Sequence, residues 1–209
     1  MAGSIVTADT FEERTDGETL EEAWPSLSEP QKKAIVDQVA GVRKQLQSVT
    51  SASMQSVDQS PCYPGPLFFD LQPRGLFLSD LDLWNALSLN LNPPGKSFPQ
   101  LVLENLKKHL PKCKPYVLTH CYLNLSNIMV RDGELTGILD WEYAGYYPIW
   151  YKYISASWRF TEMDAEWKGL LQQRLDVRED AKEFWMVLYH LRQYTDLDVK
   201  GQKALKRLS

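Results

Sequence analysis

Side chains able to do chemistry are concentrated in two short stretches near the middle of the chain. The first is His120-Cys-Tyr-Leu-Asn-Leu-Ser-Asn127, and the second, Asp140-Trp-Glu-Tyr143, begins thirteen residues after Asn127. Amide and carboxylate oxygens, such as those of Asn127 and Asp140, are possible magnesium ligands, but two ligands alone make a weak site. The Tyr122 hydroxyl can donate a hydrogen bond, but a phenol is a poor general base at neutral pH. We therefore expect hydrogen bonding rather than metal chemistry here.

A small hairpin is predicted to carry both stretches. Tyr116-Val-Leu-Thr119 has the β-branched and aromatic composition of a strand. Asn127-Ile-Met-Val130 and Leu135-Thr-Gly-Ile-Leu139 flank the turn signal Arg131-Asp-Gly-Glu134, which is typical of a β-hairpin. The first stretch therefore leads into the hairpin, and the second leads out of it.

Helical patterns surround this hairpin. Thr19-Leu-Glu-Glu22 and Ser28-Glu-Pro-Gln31 are capping boxes, and the second precedes an apolar helical face that reaches Val49. Ser79 is a further N-cap, whereas the prolines and glycines of residues 51–75 predict an irregular loop. Later helices are predicted over about 100–110, 149–160, 164–174 and 178–197. The expected fold class is α+β and mostly helical, as one domain over residues 1–209.

Composition narrows the choice of partners. The net charge of −4 and the pI near 5.5, without a basic stripe, argue against a nucleic-acid partner. Cys62, Cys113 and Cys121 are too widely spaced for a disulfide framework or a CxxC metal site, which favours a reducing compartment. There is no signal-peptide pattern and no run of about 20 apolar residues. We expect a soluble, cytoplasmic protein that binds neither nucleic acid nor membrane.

The two stretches resemble the catalytic loop and the metal-binding segment of the aminoglycoside phosphotransferase family, especially its fungal branch. In that family the loop reads H-G-D-x-x-x-x-N and the later segment reads I-D-W-E. Gly17-Glu-Thr-Leu-Glu-Glu-Ala-Trp24, Leu67-Phe-Phe69 and Tyr143-Ala-Gly-Tyr-Tyr-Pro148 are similar to further family landmarks in the same order. The resemblance covers roughly residues 10–195 and implies the C-terminal lobe of a kinase-like fold.

The resemblance also implies that phosphate transfer has been lost. In the family, the loop aspartate accepts the proton of the substrate hydroxyl, while the loop asparagine and the later aspartate hold magnesium on ATP. Asn127 and Asp140 match the last two, but Tyr122 stands at the base position and Cys121 replaces the glycine. The hinge-like segment lies within residues 1–16, so the ATP-binding lobe is expected to be missing. We therefore expect no cofactor, no metal and no ATP-dependent activity.

The site candidates each have a structural interpretation beside the functional one. His120 matches a family histidine that usually bonds to backbone, although its place beside Tyr122 also makes it a catalytic candidate. Asn127 and Asp140 either tie the loop to the hairpin or contact a substrate. Four aromatic residues follow on what the resemblance implies is the substrate side: Tyr146, Tyr147, Trp150 and Tyr151. We predict Tyr122 and His120 as catalytic and the other six residues as substrate-binding.

Three functions remain open from the sequence. The first is a repurposed enzyme whose old acceptor cleft binds a hydrophobic small molecule and promotes a cofactor-independent cyclisation or isomerisation, such as a Diels-Alder-type step in fungal secondary metabolism. The second is a non-catalytic binding or scaffold module. The third is a residual phosphotransferase or a gene fragment. A missing lobe would also expose an apolar face, so a homo-oligomer formed through that face is a further expectation.

Overall fold

The computed structural model describes residues 16–70, 72–92, 98–159, 161–193, 203 and 206. In chain order the helices are α1 (Leu20–Ala23), α2 (Glu29–Leu46), α3 (Gly65–Phe68), α4 (Asp80–Leu91), α5 (Gln100–Lys108), α6 (Tyr151–Ser155), α7 (Glu162–Gln172) and α8 (Glu179–Gln193). The strands are β1 (Glu18–Thr19), β2 (Thr50–Ser51), β3 (Gln55–Ser56), β4 (Tyr116–Thr119), β5 (Ile128–Arg131), β6 (Glu134–Ile138) and β7 (Gly145–Pro148). Short 3-10 turns lie at Trp24–Ser26 and Leu125–Asn127.

The strands form two small antiparallel sheets. The first has the order β1-β5-β6, and its β5–β6 pair is the predicted hairpin, closed by the pair Arg131 and Glu134. The second has the order β2-β4-β7-β3. The prediction of an α+β fold with an antiparallel hairpin is therefore confirmed. The second sheet was not predicted. Strands β2 and β3 are only two residues long, and no strand was predicted for the residues of β7.

Local signals at the N-terminal side act as expected. Thr19 caps α1, and the Glu22 carboxylate accepts a hydrogen bond from the Thr19 backbone N–H over 2.9 Å. Ser28 precedes α2, where the Gln31 side chain accepts from the Ser28 N–H over 3.0 Å. Gly17 has a φ of +127°, and a Cβ there would collide with the Val130 carbonyl. A glycine is therefore needed where β1 begins to pair with β5.

Two apolar cores lie on either side of the sheets. One joins α3, α4, α5 and α8 to β4 and β7, with large side chains such as Phe68, Tyr147 and Trp150 at its centre. The other joins α1, α2 and α7 to β5 around Trp24 and Trp167, whose rings meet edge to face at 5.8 Å. Helix α6 contributes Ile154 to the first core and Tyr153 to the second. It therefore links the two.

Some predicted boundaries differ from those observed. In place of the helix predicted over 149–160, the structure has the short helix α6 (Tyr151–Ser155). It begins later than predicted because Ile149 and Trp150 form the turn that follows strand β7. The loop predicted over 51–75 contains α3, whose Leu67 and Phe68 are buried. The hinge residues before Asp16 and the end of the last predicted helix, 194–197, lie outside the described residues. Within the described ranges, no helix is long and apolar enough to cross a membrane.

Candidate functional site

The loop that follows β4 is held between the two cores. Cys121 packs against the first core, whereas Leu123 and Leu125 are buried in the second. The Trp167 indole N–H donates to the Leu123 carbonyl over 3.2 Å and so fixes the middle of the loop. Cys121 has a φ of +70°, a left-handed conformation that favours glycine. This conformation costs a non-glycine residue about 1 kcal/mol or more, so the packing of the neighbouring residues must hold Cys121 in it.

His120 anchors the start of this loop. It is 1% exposed, its Nε2–H donates to the Leu139 carbonyl over 2.8 Å, and its Nδ1 accepts from the Tyr122 N–H over 3.3 Å. Burial lowers the pKa of the imidazole to about 4, only partly offset by the bond to Leu139. The ring is therefore neutral at pH 7 and uses both nitrogens to position backbone. Its catalytic role stays a prediction, because the ring reaches the cleft only through Tyr122.

Asn127 and Asp140 lie together on the hairpin side of the loop. The Asn127 amide donates to Asp140 Oδ2 over 3.2 Å and to the Tyr122 carbonyl over 3.1 Å. Asp140 also has a φ of +61°. These bonds tie the loop to the segment after β6, while contact of either residue with a substrate stays a prediction. In the described part of the chain, no group of three or more His, Cys, Asp or Glu side chains is arranged to hold a metal.

A cleft of about 410 Å³ opens beside Tyr122, large enough for a small organic molecule. Tyr122 is 43% exposed, and its ring meets the Tyr143 ring edge to face at 5.9 Å. Tyr63 packs on the other side of Tyr143 at 5.6 Å. Apolar surface predominates in the rest of the lining, which includes Pro66, Phe69, Tyr151, Leu123 and Trp158. The cleft is therefore suited to a largely hydrophobic ligand.

The predicted aromatic residues divide between cleft and core. Tyr151 lines the cleft, but its hydroxyl is buried, which raises its pKa well above the ordinary value. Tyr147 is fully buried and stacks on Tyr151 at 4.4 Å, and its hydroxyl donates to the Tyr143 carbonyl over 3.3 Å. Trp150 is buried with its indole N–H on the Lys112 carbonyl. Neither these two nor Tyr146 is among the residues lining the cleft, so their binding role stays a prediction.

Several cleft residues were not among the predicted site residues. Phe69 belongs to a family landmark, and Trp158 falls within the helical pattern of residues 149–160. Lys152 had not been singled out, although it is a lone cation in the apolar run from Ile149 to Ile154. A charged residue that interrupts such a run is a signal of buried charge, and it could have identified this one.

Lys152 is the most unusual polar group of the cleft. It is 5% exposed on α6 and lines the cleft, and its ammonium forms no hydrogen bond or ion pair with any other described residue. Burial lowers its pKa to about 8, an effect that Arg43 and Lys168 reinforce and that Asp164 opposes. Lys168 also lines the cleft, but its ammonium is bound to Asp164 at 2.9 Å. The mainly apolar lining of the cleft thus includes two buried lysine side chains.

Comparison with known proteins identifies the family. The model of the phosphotransferase enzyme family, APH, matches residues 11–184. The chain belongs to this family. The match includes the loop from His120 to Asn127, the Asp140 segment and every residue that lines the cleft. No match was found among curated protein sequences.

Solved structures agree on the fold. The apo form of a thermostable mutant of aminoglycoside phosphotransferase APH(4)-Ia is 19% identical, with 93% of this chain and 68% of that chain covered at a TM-score of 0.50. A further thermostable mutant of that enzyme, in ternary complex with AMP-PNP and hygromycin B, is 18% identical with the same coverage and a TM-score of 0.50. At this identity the likeness shows the fold alone.

Proposed function

We propose that this phosphotransferase-family protein does not transfer phosphate, and that it binds a hydrophobic small molecule beside Tyr122 and promotes a cofactor-independent cyclisation or isomerisation. The observation that carries the proposal is the position of Tyr122, a half-exposed phenol at a cleft lined mainly by aromatic and aliphatic groups. A cytoplasmic location and a role in fungal secondary metabolism belong to the same proposal. They are supported by the cysteine content and by the similarity of the motifs to the fungal branch of the family.

Residues in and beside the loop after β4 support the loss of phosphate transfer. Family resemblance puts Tyr122 where the base would stand, and a phenol hydroxyl is a poor general base compared with a carboxylate. Asn127 and Asp140, which match the family's metal ligands, are bound to each other at 3.2 Å. A metal would have to compete with that bond and would gain only two protein ligands.

The cleft supports chemistry that depends on conformation rather than on a strong base. An apolar site of this volume can hold a flexible ligand in one folded conformer and exclude water, which is much of what a cyclisation requires. The Tyr122 hydroxyl can donate a hydrogen bond to a carbonyl as charge develops on its oxygen. One such donor contributes on the order of 10²- to 10³-fold in rate.

Residual phosphotransfer is the second candidate function. The contact between Asn127 and Asp140 keeps both groups close enough to share one cation, and Glu142 provides a carboxylate in the cleft. Titration of the protein with MgATP in a calorimeter separates the two candidates. We expect no heat of binding at micromolar concentrations, and micromolar affinity would contradict the proposal.

The catalytic step is tested by removing one hydroxyl. Tyr122→Phe should slow conversion of a polyketide or terpene intermediate about 100-fold without a change in thermal melting, because the side chain is largely solvent-exposed. Tyr116→Phe is the matched control, since the buried Tyr116 hydroxyl has no hydrogen-bond partner and lies outside the cleft. Full activity in Tyr122→Phe would refute the assignment. Binding without turnover in the unmodified protein would instead identify a non-catalytic binding module.

A further inference from the structure

The described part of the chain buries more cations than carboxylates, and one of these cations, Lys152, lines the cleft without an ion pair. The ionisable lysine, arginine and aspartate side chains that are buried in the described ranges are Arg43, Lys152, Asp164 and Lys168. Asp164 is bound to Lys168, and the exposed Asp176 acts on Arg43, although the formal net charge of the chain is −4. A buried charge is costly unless it is paired, so this arrangement favours an additional anion.

The cation with access to the cleft and without a bonded partner is Lys152. Lys168 is held by Asp164 and also donates to the Trp158 carbonyl. Arg43 does not line the cleft. Of the two carboxylates that line it, Asp70 is bound to Arg74 at 2.9 Å, and Glu142 is exposed. Among the described residues, no carboxylate forms an ion pair with Lys152, and Asp164, which attracts its charge from nearby, is bound to Lys168.

We propose that the ligand of this cleft is an amphiphilic acid, with its apolar body against the aromatic walls and its carboxylate on the Lys152 ammonium. The inference rests on the proposed function because it uses the same cleft, and it narrows the substrate class. A carboxylate would supply the missing counterion. It would also fix the orientation of the apolar body, since Lys152 is the lysine in the cleft lining whose ammonium forms no ion pair with a described residue, whereas Lys168 is bound to Asp164.

A matched pair of fluorescent probes tests this inference. 8-Anilino-1-naphthalenesulfonate carries a sulfonate, whereas N-phenyl-1-naphthylamine has the same aromatic body without a charge. We expect the unmodified protein to bind the anionic probe roughly 10- to 100-fold more tightly, the effect of one hydrogen bond to a charged group. 1-Naphthoate should displace the bound anionic probe, and 1-naphthalenemethanol should be a much weaker competitor.

Lys152→Met should remove the preference for the anionic probe and leave binding of the neutral probe unchanged. Lys33→Met is the matched control, because Lys33 is exposed on α2, does not line the cleft, and loses the same charge. Equal affinity of the unmodified protein for both probes would overturn the inference while leaving the hydrophobic cleft of the proposed function intact. Failure of both probes to bind would overturn both this inference and the proposed function.

The pH dependence provides a test that requires no variant. The charged and titratable groups around Lys152 are Arg43 on α2, His120 and Cys121 on the loop, and Asp164 and Lys168 on α7. The pKa of His120 is lowered to about 4, so its charge does not change above pH 7. Burial raises the pKa of the Cys121 thiol, so it stays neutral, and Lys152 is the group whose charge changes near pH 8. Affinity for the anionic probe should therefore fall about tenfold from pH 7 to pH 9.5, whereas affinity for the neutral probe should not change. Parallel behaviour of the two probes would contradict the inference.

Discussion

Acidification should lower the stability of the protein by protonating His120, which anchors the loop after β4. The imidazole is buried with the Leu139 carbonyl on Nε2 and the Tyr122 N–H on Nδ1. A proton added to Nδ1 would break the second bond and place a charge in a buried site. The neighbouring Lys152 ammonium would oppose that charge, whereas the Leu139 carbonyl and Asp140 would favour it.

The sign and the magnitude follow from the two pKa values. The unfolded chain carries an ordinary histidine of pKa about 6.5, and the folded chain holds His120 at about 4. Between these values the unfolded state binds more protons than the folded state, so stability is fully present above pH 6.5 and is lost as pH falls. The loss is about 2 kcal/mol by pH 5 and approaches roughly 3 kcal/mol below pH 4.

Urea unfolding followed by tryptophan fluorescence at pH 7 and pH 5 measures this effect. Other groups also titrate, so the informative quantity is the difference between the unmodified protein and His120→Gln. Glutamine keeps an amide N–H for the Leu139 carbonyl but does not titrate. We expect the unmodified protein to lose about 2 kcal/mol more than the variant over this interval. Equal losses would refute the assignment of a buried, neutral His120.

Two further predictions concern backbone positions. Gly17→Ala should cost roughly 2 kcal/mol or more because of its positive φ and the collision with the Val130 carbonyl, whereas Gly41→Ala, in open space within α2, should stabilise by about 0.5 to 1 kcal/mol. Asp140→Ala should cost about 1 to 2 kcal/mol through the lost Asn127 bond and the left-handed backbone, and Asp140→Asn should stay within about 0.5 kcal/mol. Urea denaturation measures all four, and equal values within either pair would contradict the reasoning.

Elements with strong local signals were predictable from the sequence. The turn Arg131-Asp-Gly-Glu134 closes the β5–β6 hairpin, and the capping box at Thr19 begins α1. Ser79 accepts from the Asp82 N–H and so caps α4 as expected. In each case the residues that decide the structure lie within four positions of one another, so the pattern is visible without knowledge of the tertiary fold.

The four-stranded sheet and the cleft depend instead on distant contacts. Strand β3 pairs through Gln55 with Tyr146, about ninety residues away, and a two-residue strand has no periodicity to detect. Tyr147 is fully buried in the first core, where β7 pairs with β4 inside the sheet, and the local sequence does not indicate this burial. Lys152 becomes a site residue only because the short helix α6 is buried on all sides. The four-stranded sheet and the roles of these residues could therefore be assigned only from the tertiary structure.

The loop geometry explains how one family fold can accept different chemistry at one position. Cys121 and Asp140 both hold left-handed backbone, so the path of the loop is imposed by its surroundings rather than by local preference. His120 and the buried Leu123 supply that constraint on either side of Tyr122, whose own side chain lines the cleft and is 43% exposed. Because the side chain at 122 contributes little to holding the loop, its replacement should alter what the cleft can do while leaving the backbone in place. A change of function at this residue would therefore cost little stability, which is the physical condition for repurposing the site.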